Sequence, residues 1–98
     1  MIEPYILNSS GKLIKYPGYL IRKGQKGEDV KLIQIWLNGL SKVYPFIPSV
    51  DPDGIFGTKT MEAVLMFQTW AGLIVDGIVG PLTWERLYEE YRNIALGI

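Results

Sequence analysis

Eight residues of this chain are written twice. Asp53-Gly54-Ile55-Phe56-Gly57-Thr58-Lys59-Thr60 and Asp76-Gly77-Ile78-Val79-Gly80-Pro81-Leu82-Thr83 share the pattern Asp-Gly-Ile-x-Gly-x-x-Thr, and position n of the first copy matches n + 23 of the second. A catalytic loop rarely needs a copy of itself; a structural joint used twice does, as does a binding unit of two similar halves. Asp followed by Gly is turn chemistry, because the carboxylate accepts nearby backbone N–H groups and glycine supplies a positive φ. The doubling extends into the preceding segments. VKLIQIWLNGL (30–40) and VLMFQTWAGL (64–73) share Val, then Gln34 or Gln68, then Trp36 or Trp70, and both finish on Gly-Leu. The repeating unit is therefore a helix followed by an Asp-Gly loop. Structural reuse is the better account of it.

Three stretches have helical periodicity. In the first, from about Glu28 to Leu40, Val30, Ile33, Leu37 and Leu40 form one stripe, with Glu28 and Asp29 in the first turn where the helix dipole favours acids. Gly39, a weak helix former, places the end near there. The second runs from Thr58 to Ala71 with Met61, Val64, Phe67, Gln68 and Ala71 on one face, and Gly72 stops it in the left-handed conformation. The third starts at Pro81, whose missing N–H costs nothing at the first helical position, and its stripe is Trp84, Leu87, Tyr88, Tyr91 and Ala95. Pro45, Pro48 and Pro52 rule out a regular helix between the first two. Residues 1–20 read differently: apolar residues flank Asn8-Ser9-Ser10-Gly11, a turn between two short extended segments. The expected fold is all-α, a compact three-helix bundle over residues 21–96. The two repeated loops join its helices, and residues 1–20 form an irregular or short-hairpin extension.

Composition narrows the function. The chain has 98 residues, enough for one small domain, and no cysteine or histidine. That removes disulfides, thiolate metal sites, and the commonest general base and zinc ligand. Ten bases balance ten acids, so no net charge draws it to nucleic acid. The distribution is uneven, with seven bases against three acids in residues 1–50 and the reverse beyond. A solvated surface accounts for this; a zwitterionic ligand is the sharper alternative. No apolar run approaches the ~20 residues of a membrane span, and the start lacks the order of a secretory signal. Calcium is rejected: Asp51, Asp53 and Gly54 fit part of an EF-hand loop, but Ser49 and Thr60 stand where its first and last acidic ligands belong. Glycoside hydrolysis needs two carboxylates facing one cleft, whereas Asp53 and Asp76 have turn duties, and Ser41 has no histidine to activate it.

The ordered series Gly27-x-x-Val30, Gln34, Leu37-Asn38, Asp53-Gly54-Ile55-Phe56-Gly57-x-x-Thr60, Ala63-Val64, Phe67-Gln68, Gly72-Leu73, Asp76-Gly77-Ile78-Val79-Gly80 and Thr83-Trp84 resembles the peptidoglycan-binding-like domain. This is a small three-helix module attached to bacterial and phage cell-wall hydrolases. The resemblance covers about residues 17–92, and nothing in it extends to the first residues of the chain. It implies binding without catalysis, no cofactor, and a place at the cell wall or outside the cell as part of a longer exported protein. Peptidoglycan is the implied partner, with a tethered hydrolase domain beside it and the module itself a monomer.

The residues support specific expectations beside that resemblance. Gln34 and Gln68 tie their helices to the loops of Asp53-Gly54 and Asp76-Gly77, because a buried amide needs partners and exposed loop backbone is the nearest source. Thr58 caps the second helix, while Thr60 and Thr83 bond backbone in their first turns. Helix one carries a second apolar strip, Leu32, Ile35 and Trp36; helix two carries Ala63, Met66 and Trp70. A three-helix domain cannot bury every side of every helix, so a covering segment, a ligand or a partner takes these strips. Tyr5, Ile6, Leu7, Leu13 and Ile14 are the expected cover for Trp36; Trp84 is expected in the core. Flat aromatic faces suit sugar rings, and Tyr44 and Phe46 supply another wall. The candidate ligand-binding set is Trp70, Met66, Phe56, Gly57, Thr58, Tyr44 and Trp36. Helix-terminal N–H groups at the loops can also meet a ligand carboxylate. The leading expectation is a non-catalytic peptidoglycan-binding module that targets a cell-wall hydrolase. The alternative is a regulatory domain docking on a partner enzyme, as in metalloprotease prodomains of similar fold, although their inhibitory cysteine has no counterpart here.

Overall fold

The computed structural model describes Ile6–Leu7 and residues 13–97 of the chain. Within these residues the order is β1 (Ile6–Leu7), β2 (Leu13–Ile14), α1 (Glu28–Ser41), α2 (Thr58–Ala71) and α3 (Pro81–Leu96). The two strands pair antiparallel, Ile6 opposite Ile14 and Leu7 opposite Leu13. The Asn8–Gly11 turn, and the side chains expected to cover Trp36, lie outside the described residues.

Each helix starts on a glycine of the repeated pattern or its forerunner. Gly27, Gly57 and Gly80 stand at the N-caps, and none of the three helices has a side-chain cap. Thr58 is thus the first residue of α2 and does not cap it. Gly72 ends α2 at φ 72°, with its N–H bonded back into the last turn. Gly39 does not end α1, which runs on to Ser41. A Cβ there would lie 2.5 Å from Cε1 of Tyr91, so the glycine exists to admit the α3 ring.

α1 packs against both α3 and α2, and the core lies around it. Ile33, Leu37 and Leu40 of α1, Val64 and Phe67 of α2, and Leu87 of α3 are fully buried. On its α3 side Trp36 meets Trp84 edge-on at 4.9 Å and Tyr88 at 6.3 Å, and Tyr16 adds an edge contact to Trp84 at 5.9 Å. In the last turns of α3 it is Ile94 that packs on the core, while Ala95 is exposed.

The segment before α1 is a strap across both repeated loops. Ile21 exchanges two backbone bonds with Val79, at 3.0 and 2.8 Å. Further along, Gly24 donates to Phe56 O, Phe56 to Gln25 O, and Gly27 to Gly54 O, each at 2.9 Å. One short segment, with a turn at Lys23–Gly24 between its two bridges, therefore satisfies backbone groups of both joints, which helix packing alone would leave unpaired. The pairing aims Phe56 and Val79, the variable residues of the two patterns, into the core, where both are buried with Ile21.

Candidate functional site

The two joints are built alike. Gln34 donates from Nε2 to Asp53 Oδ1 (3.1 Å), Ile55 O (2.9 Å) and Thr60 Oγ1 (3.0 Å), and its Oε1 accepts from Gly54 N–H at 2.8 Å. Gln68 donates to Asp76 Oδ1 (3.0 Å), Ile78 O (3.0 Å) and Thr83 Oγ1 (3.2 Å), and accepts from Asp76 and Gly77 N–H. Both glutamines are 1% exposed, so no water competes for the amide. Thr60 and Thr83 are buried acceptors in these locks. Gly54 at φ 78° and Gly77 at φ 72° turn the chain so that their N–H groups point back at the amide oxygen. These residues hold the helices together and are occupied in doing so.

Asp53 also accepts the Ile55 N–H at 2.9 Å. That bond, and then the Gln34 amide, hold its carboxyl below its ordinary value of 3.8. A depressed folded pKa stabilises the fold above the unfolded pKa and is lost as the pH falls through the folded one. The stability advantage of the wild type over Asp53→Asn is thus expected to be constant near neutrality and to shrink below pH 3.8. Urea midpoints for the two proteins across the acid range check this; parallel curves would show that the charge contributes nothing.

The aromatic side chains divide sharply. Trp36 and Phe56, both candidates for ligand contact from the sequence, are 2% and 1% exposed and have no free face to offer. Trp36 is enclosed between α1 and α3, and Phe56 is turned inward by its pairing with the strap. Trp70 is 36% exposed, Met66 40% and Phe46 41%. Tyr44 stacks on Trp70 with 4.7 Å between ring centroids, and Phe46 stands 5.9 Å from Tyr44 and 6.4 Å from Trp70. The three rings make a ledge between α2 and the proline-rich loop, backed by the buried Phe67. Arg86 of α3 reaches across to place its guanidinium 5.7 Å from the Trp70 centroid, braced by Glu90 at 3.0 Å and by Ala71 O. Nothing in the sequence pointed to Arg86, since only the packing of α3 beside α2 brings it there. Gly57 is half-buried and Thr58 exposed, both in a groove at the first loop rather than on the ledge.

Among the described residues no group of three His, Cys, Asp or Glu could hold a metal ion, and no helix is long and apolar enough to cross a membrane. Three helices pinned by duplicated locks, with one solvent-facing aromatic ledge, define a small recognition module. Residues 26–87 match the family described as putative peptidoglycan binding domain, and the chain belongs to that family. It is 46% identical over 75 residues to an uncharacterised protein of Kitasatospora aureofaciens, covering 76% of this chain and 58% of that one. It is 35% identical over 82 residues to the N-acetylmuramoyl-L-alanine amidase CwlL of Bacillus licheniformis, covering 82% of this chain and 21% of the amidase. The crystal structure of the SleB N-terminal domain superposes with a TM-score of 0.66 at 34% identity, over 78% of this chain and 97% of that domain. The chain thus spans over half of the first relative and about a fifth of the amidase, under two thirds of each, while it matches nearly the whole of the SleB domain.

Proposed function

We propose that this chain binds bacterial cell-wall peptidoglycan without acting on it, and that it holds an attached or associated cell-wall hydrolase at the wall. The observation that carries this is the ledge of Trp70, Tyr44 and Phe46. Its rings are fixed by mutual packing yet open to solvent, which is how a protein meets the apolar C–H faces of sugar rings. Family membership supplies the polymer, and the amidase relative supplies the setting of a longer protein with a catalytic domain. Residues 21–96 are the binding unit and residues 1–20 an extension packed on it or leading to it. The module works as a monomer at the cell wall or outside the cell. Single-module affinity is modest, and tethering raises it.

Co-sedimentation with insoluble peptidoglycan tests this. Wild type pellets, while folded Trp70→Ala and Phe46→Ala each bind about tenfold more weakly, the equivalent of ~1.4 kcal/mol. A wild type that stays in the supernatant at every wall concentration would overturn the reading. The second reading, docking on a partner enzyme, is favoured by one feature: Leu20, Ile74 and Leu82 leave aliphatic surface exposed beside the second loop.

A further inference from the structure

The duplicated joint makes two grooves, and they correspond at eight positions. Nine residues line each groove, and eight of those at the first loop, displaced by 23, line the groove at the second; Gln34 and Leu20 are the unmatched ones. Five carry the same or a like residue: Val50 and Leu73, Asp53 and Asp76, Ile55 and Ile78, Gly57 and Gly80, Thr60 and Thr83. Three differ in kind, Asp51 against Ile74, Thr58 against Pro81 and Lys59 against Leu82. The chain has therefore built one joint twice and made one groove polar and charged, the other aliphatic. An equivalent lock forms around Ile74, Pro81 and Leu82 in the second copy, so the lock itself does not call for Asp51, Thr58 or Lys59.

The charged groove continues into a hollow of 530 Å³ that also takes in Lys42, Ser49 and Pro52. That is room for a ligand of a few residues. Lys42, Lys59 and Asp51 all line this space, and among the described residues none of the three forms an ion pair. No salt bridge in the fold accounts for two ammonium groups and a carboxylate gathered here. The wall of the hollow is held in place regardless. Asn38 donates from Nδ2 to Val50 O and accepts the Val50 N–H at Oδ1, fixing the backbone just before Asp51. A groove held open in this way loses little conformational entropy when it binds.

We infer that the groove bounded by Lys42, Asp51 and Lys59 binds a zwitterionic peptide, the stem peptide of the wall polymer, and leaves the sugars to the aromatic ledge. This rests on the wall-binding reading above. Stem peptides present free α-carboxylates of γ-linked and diamino residues beside a side-chain ammonium, the complement of two lysines and an aspartate. The placement agrees. Lys59, Met66 and Trp70 recur at helical spacing on the exposed side of α2, and Lys59 and Trp70 are about 16 Å apart along its axis. A sugar at Trp70 and its pendant peptide at Lys59 then lie along one helix.

The test is a titration of the full chain, ¹⁵N-labelled, with soluble L-Ala-γ-D-Glu-meso-diaminopimelyl-D-Ala, followed by amide shifts. Shifts are expected over residues 50–60 and around Lys42, with none over residues 73–83. Lys59→Leu, which installs the residue of the second copy, and Asp51→Asn each weaken binding about tenfold while the spectrum stays dispersed. Raising the salt weakens it as well. Shifts at Trp70 alone, or groove shifts that survive both substitutions, overturn the inference. If the peptide gives no shifts while wild type still pellets with whole walls, the peptide assignment falls and the wall-binding reading stands. If neither occurs, both fall.

Discussion

Gln34→Ala and Gln68→Ala each lower the stability of the domain by on the order of 4 kcal/mol. Removing the Gln34 amide leaves the buried Gly54 N–H and Thr60 hydroxyl without their partner, and each such group costs about 1–3 kcal/mol before any cavity is counted. Gln68 has the same duties toward Gly77 and Thr83. A domain of this size is stable by about 5–15 kcal/mol, so either change removes a large share and lowers the melting temperature by roughly 20 °C. Thermal unfolding followed by circular dichroism measures it. The two locks share no partner, so the losses in the double variant should add. A loss under about 1 kcal/mol would mean that water replaces the amide and that the joints are held by the strap instead.

Trp36→Ala and Trp70→Ala separate stability from binding. Trp36 fills the contact between α1 and α3, against Trp84 and Tyr88, and its truncation is expected to cost about 3–5 kcal/mol. Trp70 already stands open to water on one side, so its truncation costs about 1 kcal/mol of stability. Urea denaturation of both variants beside wall co-sedimentation distinguishes the two. Trp36→Ala loses wall binding only in proportion to its unfolded fraction, whereas Trp70→Ala loses it while folded. Equal stabilities for the two would contradict the enclosure of Trp36.

Much of the fold was legible because it rests on local chemistry. Pro81 opening α3 and Gly72 closing α2 follow from what a missing N–H and a missing Cβ permit, and the structure has them there. The three helical stripes follow from apolar spacing, and the family follows from an ordered set of turn and core residues. Where sequence reasoning failed, a distant contact decided. Gly39 reads as a helix end until the Tyr91 ring is laid against it. Thr58 reads as a cap, yet the chain enters α2 through Gly57 and no side chain caps it. Phe56 reads as a loop aromatic, and only the strap, paired from more than twenty residues upstream, turns it inward.

The two repeated tryptophans mark the boundary most plainly. Trp36 and Trp70 occupy the same position of the same repeat, so the sequence by itself determined that each projects from its helix beside a locked glutamine. It could not determine which of them meets water. The tertiary structure decided that by placing α1 against both other helices, so that Trp36 is enclosed by α3 while Ile35 of the same strip stays exposed. Trp70 of α2 is not enclosed in this way: Phe67 backs it, Tyr44 and Phe46 flank it and the Arg86 guanidinium lies over it, yet the ring keeps a solvent-facing side. Equal sequence gives equal local geometry, but burial depends on how many neighbours an element has, and that number is fixed only when the helices assemble.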